Sequence, residues 1–143
     1  GRAAREIARF CEEGGLSLQG SRLVFIGHSG GAVVGVHAAQ ELLRRGADVG
    51  AVVMIGSPKM PVPEKISGKT AFFCAANHEG KVSDPVARMG TWRGKPAARI
   101  RAVPLVGGHP DYFRSLAPFV NERGCSNLSV MLDEVEEWLK VCL

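Results

Sequence analysis

The run Leu23-Val24-Phe25-Ile26-Gly27-His28-Ser29-Gly30-Gly31 joins an apolar stretch to the spacing G-x-S-x-G. A serine placed at a sharp turn between a strand and a helix is pushed out above the sheet, where its hydroxyl can act as a nucleophile. Gly27 and Gly31 carry no Cβ, so both are expected to let strand and helix approach closely around that turn. The first amides of the following helix point at any negative charge that develops beside the serine, and the helix dipole favours that charge. The Gly30 N–H is the expected oxyanion donor.

This segment resembles the nucleophile elbow of the α/β-hydrolase superfamily, which contains esterases, lipases and thioesterases. A dinucleotide-binding turn is the competing interpretation. Gly27, Gly30, Gly31 and Gly35 do not fit G-x-G-x-x-G, and Ile55 is followed by Gly56-Ser57-Pro58 rather than by an acid. The resemblance implies the chain order serine, acid, histidine. Of four histidines, His28 lies inside the elbow beside the nucleophile and His37 sits on the next helix. His78 precedes every good acid candidate. His109, in Val106-Gly107-Gly108-His109-Pro110, follows the last expected strand, where the resemblance places the base. For the acid it favours Asp84, within Lys81-Val82-Ser83-Asp84-Pro85-Val86, with Glu79 as the rival.

The implied activity is cleavage of a carboxylic ester or thioester through an acyl-enzyme on Ser29. His109 would be the base and Asp84 the group that orients it, with no cofactor and no metal. Met60 and Val62 in a proline-rich loop, together with His28, are the candidate substrate contacts. Tyr112 and Phe113 beside His109 are further candidates for lining the site. The alternatives are an idle hydrolase fragment and, from another class, a nucleotide-binding α/β domain.

Apolar segments of two kinds must position these residues. Ala3–Glu13 and Leu128–Val141 repeat apolar residues at spacings of three and four, as helices do, and Gly30–Arg45 is a helix rich in small residues. Arg22–Ile26, Val49–Ile55, Thr70–Ala75 and Ala98–Val106 read as strands, the second apolar enough to be buried on both faces. A short helix is expected near Val86–Met89 within the loop Asn77–Pro96. The alternation predicts an α/β fold with a mostly parallel sheet of about four strands and flanking helices.

The 143 residues form a single domain, and 45% hydrophobic residues suit a globular chain. A net charge of +4 is too mild to indicate a nucleic-acid partner. Arg88, Arg93, Lys95, Arg99 and Arg101, with Trp92 among them, form a basic run that reads as a solvated face paired with the glutamates of the final helix. No apolar run approaches the roughly 18 residues of a membrane span, and the N-terminal arginines do not resemble a secretory signal. The four cysteines form no metal-ligand spacing and are expected as reduced thiols in a cytosol-like compartment. A Cys125–Cys142 bridge is the alternative.

The resemblance covers only the second half of the family fold. It implies that the strand pairing with Leu23–Ile26, and the loop giving a second oxyanion N–H, lie outside the chain. The expected consequences are a slow or idle isolated chain and self-association through the open edge of the nucleophile strand.

Overall fold

In the computed structural model, which describes residues 1–143, helix α1 (Arg2–Glu13) precedes strand β1 (Arg22–His28) and helix α2 (Gly30–Arg44). Strand β2 (Asp48–Ile55), helix α3 (Glu64–Ser67), strand β3 (Thr70–Ala76) and helix α4 (Pro85–Arg88) follow. Strand β4 (Arg99–Pro104), a 3-10 turn (His109–Asp111) and helix α5 (Asn127–Cys142) complete the chain. The four strands form one parallel sheet in the order β1-β2-β3-β4, so the α/β class expected from the alternation is the class observed.

Strand periodicity divides the core into two layers. Val52, Met54, Phe72 and Cys74 face α2 and pack with Ala32, Val36 and Ala39. Val53, Ile55, Ala71, Phe73, Ala75 and Val103 face α5 and pack with Met131, Val135 and Trp138. The helix α1 lays Ala4 and Ala8 against Ala38 and Leu42 of α2. On β1, Leu23 and Phe25 join the layer under α1 and α2, whereas Val24 and Ile26 on the opposite face are 37% and 55% exposed. The helix α5 therefore covers β2 and β3 but not β1, and β1 is an edge strand with one unpaired side.

Several boundaries move from their sequence expectations. The strand β1 continues through Gly27 and His28, because both pair with β2 at Met54 and Ile55. Pro104 ends β4, and Val106 leaves the ladder to give its N–H to the Asn127 side chain. The single turn of α3, started by Pro63, was not expected; four residues are too few to show a helical period. The loop from Asn77 to Pro96 is tied down. The Asn77 side chain accepts from the Glu79 and Lys81 amides, and Trp92 packs edge-on to Phe72 at 5.0 Å.

The basic run is paired in part with the final helix, as expected, while Arg88 turns to the Val82 carbonyl and Arg93 has no acidic partner. Arg99 pairs with Glu137, Arg101 with Glu134 and Glu137, and Lys95 with Glu64. All four cysteines are free thiols, so the Cys125–Cys142 bridge is not formed. No helix is long and apolar enough to cross a membrane.

The β1–α2 junction sets a steric limit at one glycine. A Cβ on Gly27 would lie 2.5 Å from the Ala32 Cα and 2.6 Å from its N, both backbone atoms that cannot step aside. Gly31 differs from expectation: a Cβ there meets nothing beyond its own helix, so the close approach rests on Gly27. Gly27→Ala is expected to destabilise the fold by about 3 kcal/mol or more, at the upper end for overpacking, whereas Gly31→Ala is expected to lie within about 1 kcal/mol of the parent. Urea unfolding of the two variants checks the contrast.

Candidate active site

Ser29 lies between the end of β1 and the first residue of α2 at φ 55°, ψ −127°, and is the one non-glycine residue with positive φ. Such a conformation costs on the order of 1–3 kcal/mol and persists only when the surroundings enforce it. Here the Ser29 N–H donates to the Ile55 carbonyl at 2.9 Å, and its carbonyl accepts from the Ala32 N–H at 3.1 Å. The strained residue is thus held by the next strand on one side and by its own helix on the other. At the start of α2, the Gly30 N–H has no backbone carbonyl partner and Gly30 is exposed.

His109 is brought to this turn by the loop that follows β4. The Ser29 hydroxyl lies 3.0 Å from His109 Nε2, and His109 Nδ1 lies 3.0 Å from Asp84 Oδ2. A neutral imidazole protonated on Nδ1 satisfies both contacts: its N–H donates to the carboxylate, and Nε2 accepts from the serine. His109 keeps 23% of its side chain exposed, while Asp84 is fully buried.

Asp84 caps α4, with its Oδ1 accepting from the Val86 N–H at 2.8 Å. Its Oδ2 accepts a second hydrogen bond, from the Tyr112 hydroxyl at 2.7 Å. Burial on its own would push the Asp84 carboxyl up. The donors on His109, Tyr112 and Val86 outweigh it and hold the group below the usual carboxylate range. Burial likewise drives the Tyr112 phenol well above its ordinary value, and the adjacent carboxylate adds to the effect, so Tyr112 remains a donor to Asp84.

Of the residues singled out in the sequence, Ser29, Asp84, His109 and Gly30 come together. Glu79 and His78 face solvent beside one another, with side chains 69% and 89% exposed, and neither touches His109. His37 is exposed on α2. Val62 is a correction: it is 4% exposed within the α2-side core, so it has no surface to offer a ligand. Met60 is half-buried and packs on the same core. Tyr112 is also a correction, because it is wholly buried and holds the carboxylate instead of lining a pocket. Phe113 remains exposed. His28 is half-buried, and its ring stacks on that of His109 at 4.8 Å.

Three residues have positioning roles that the sequence does not reveal. Besides holding Asp84, Tyr112 accepts the Ala75 N–H at 2.7 Å, which ties the acid to β3. Gly56, at φ 54°, leaves the space that the Tyr112 ring occupies, since a Cβ there would lie 2.6 Å from the ring. Asn127, 2% exposed at the start of α5, donates to the carbonyls of Val106 and Asp111 at 2.7 and 2.8 Å and accepts the Val106 N–H at 3.0 Å. Those three bonds bracket His109. The only sequence signals were a tyrosine three residues after the histidine and an asparagine at a helix start, both too common to stand out.

A cavity of about 760 Å³ lies elsewhere, between the end of β4, residues 120–125 and α5, and none of Ser29, Asp84 and His109 lines it. No three His, Cys, Asp or Glu side chains gather as a metal site. No protein-family model matches the chain, and no curated protein matches it.

Tyr112→Phe is expected to lower stability by about 1–3 kcal/mol at pH 7, because it leaves the buried Ala75 N–H unpaired and strips one donor from Asp84. The sign with pH follows from the depressed Asp84 value. Stabilisation by the ionised carboxylate is complete above its unfolded value of about 3.9 and is lost as pH falls through the lower folded value. The gap between parent and variant should therefore narrow below about pH 4. Urea unfolding at pH 7 and at pH 3 measures it.

Proposed function

We propose that the chain is a serine hydrolase acting on a carboxylic ester or thioester through an acyl-enzyme. The observation that carries this proposal is the continuous hydrogen-bonded chain from the strained Ser29 through His109 to buried Asp84, with both links at 3.0 Å. Each part has a chemical task. As the Ser29 oxygen attacks the acyl carbon, its proton passes to His109 Nε2. Asp84 fixes the Nδ1–H tautomer and offsets the positive charge of the imidazolium. Negative charge on the tetrahedral intermediate falls beside the unpaired Gly30 amide at the start of α2.

Collapse of the intermediate breaks the bond to the alcohol or thiol, which takes the proton back from His109. Water then repeats the sequence: His109 accepts its proton, the hydroxide adds to the acyl group, and Ser29 leaves with the proton restored. The carboxylic acid is the second product. The partly exposed histidine and the exposed Gly30 leave the site accessible to a small acyl substrate.

A second reading has the chain slow or idle until its sheet is completed, by another copy or another segment. The open side of β1 and the exposed Val24 and Ile26 favour it. Gly30 is the one oxyanion donor assigned in this proposal, and removal of a single such donor typically costs roughly 10²–10³ in rate.

A fluorophosphonate probe is expected to label the chain at Ser29, and Ser29→Ala to abolish both labelling and hydrolysis of p-nitrophenyl esters. Retention of parent-level hydrolysis by the alanine variant sinks the proposal. Labelling confined to an associated species on size-exclusion chromatography supports the second reading over the first.

A further inference from the structure

The ring of His28 is packed on three sides. It stacks on His109 with centroids 4.8 Å apart and planes 25° apart, meets Phe113 edge-on at 5.5 Å, and leans on Tyr112 at 5.2 Å. Its Nε2 is buried and has no hydrogen-bond partner. An unpartnered buried nitrogen costs roughly 1–3 kcal/mol when the residue could have been apolar. The ring is nevertheless held there by the backbone, since His28 pairs with Ile55 at the end of β1, directly before the strained serine.

His109 has less support of its own. It sits on a 3-10 turn of three residues preceded by Gly107 and Gly108, and that loop is pinned by Asn127 at its backbone. The hydrogen bonds to Ser29 and Asp84 set where its two nitrogens lie. They do not stop the ring plane from rocking about the line between them. A flat ring carried on the end of β1 and stacked on the imidazole does.

We propose that His28 is a positioning residue, the wall that holds the His109 ring in the plane spanning Ser29 and Asp84. This inference rests on the hydrolase proposal and deepens it. It also reassigns His28, expected from the sequence to contact substrate, to contact with the base. The charge state is consistent with the role. The groups facing His28 are His109 and Asp84, with the phenol of Tyr112. Burial and His109 push the His28 imidazole below its ordinary value, while the His109 backbone and Asp84 pull weakly the other way. A neutral ring can lie against an imidazolium, and a second cation there would oppose proton transfer to His109.

The test compares His28→Ala, which removes the wall, with His28→Phe, which restores a flat ring without nitrogens. Fluorophosphonate labelling of Ser29 at pH 8 is expected to slow by about 10–100-fold in the alanine variant and to stay within about threefold of the parent in the phenylalanine variant. For p-nitrophenyl acetate the loss should fall on kcat and leave KM nearly unchanged, because the wall touches the base and not the ester. A second readout does not depend on activity: the downfield NMR resonance of the His109 Nδ1 proton shared with Asp84. It is expected to be sharp in the parent and in His28→Phe, and broadened or lost in His28→Ala. Labelling and resonance both unchanged in His28→Ala overturn the inference and leave the hydrolase proposal standing. An alanine-like loss in His28→Phe overturns the wall in favour of a role for the nitrogens. A parent that is never labelled overturns the hydrolase proposal. The resonance then still decides whether His28 holds the His109 ring.

Discussion

An L-amino acid at positive φ is the constraint on which the rest of this molecule depends. Ser29 would relax if either neighbour gave way, and both neighbours are built so that they do not. The strand β1 is held in register by β2 up to His28, and the Ser29 amide is bonded to the same strand at Ile55. The helix α2 starts at once, close enough that only glycine fits at position 27. The parallel sheet, with helices on its faces, is what makes a turn this tight possible. A connection from strand to helix above the carboxyl edge of the sheet leaves the turn residue no backbone slack.

Asp84 and His109 reach the same edge by a different physical route. Asp84 is fully buried, which for a lone carboxylate is costly, so its environment supplies donors to both oxygens. One comes from the amide of its own capping turn, one from the histidine, and one from a tyrosine anchored to β3. The carboxylate is thereby a structural node as well as an electrostatic one. It joins α4, β3 and the loop after β4, and its ionised form is the one the fold stabilises.

Much of the arrangement was legible in the sequence because it follows from local patterns. The apolar runs gave the strands, and G-x-S-x-G gave the turn. The resemblance then pointed to Asp84 and His109; His109 lies against Ser29, and Asp84 lies against the far nitrogen of His109. What could not be read depends on contacts between distant segments. Tyr112 and Phe113 are neighbours of similar chemistry, yet one is wholly buried against Asp84 and the other is exposed. The difference lies in the space above Gly56, more than fifty residues earlier in the chain. Val62 looked like a loop residue on the site edge. It is buried in the core layer that also holds Ile66 of the single-turn helix α3 and Ala97 before β4. Asn127 resembled any polar residue at a helix start, and only the path of the His109 loop gives it three partners.

The Asn127 clamp also orders events in time. The loop bearing His109 precedes α5 in the chain, so during synthesis the histidine is made before the residue that fixes its loop. The Ser29 turn takes its own backbone bonds from β2 and α2, both made earlier. The His109 loop therefore lacks its three Asn127 bonds until α5 docks onto the sheet. Under the proposed hydrolase function, docking of α5 is thus the step that completes the site.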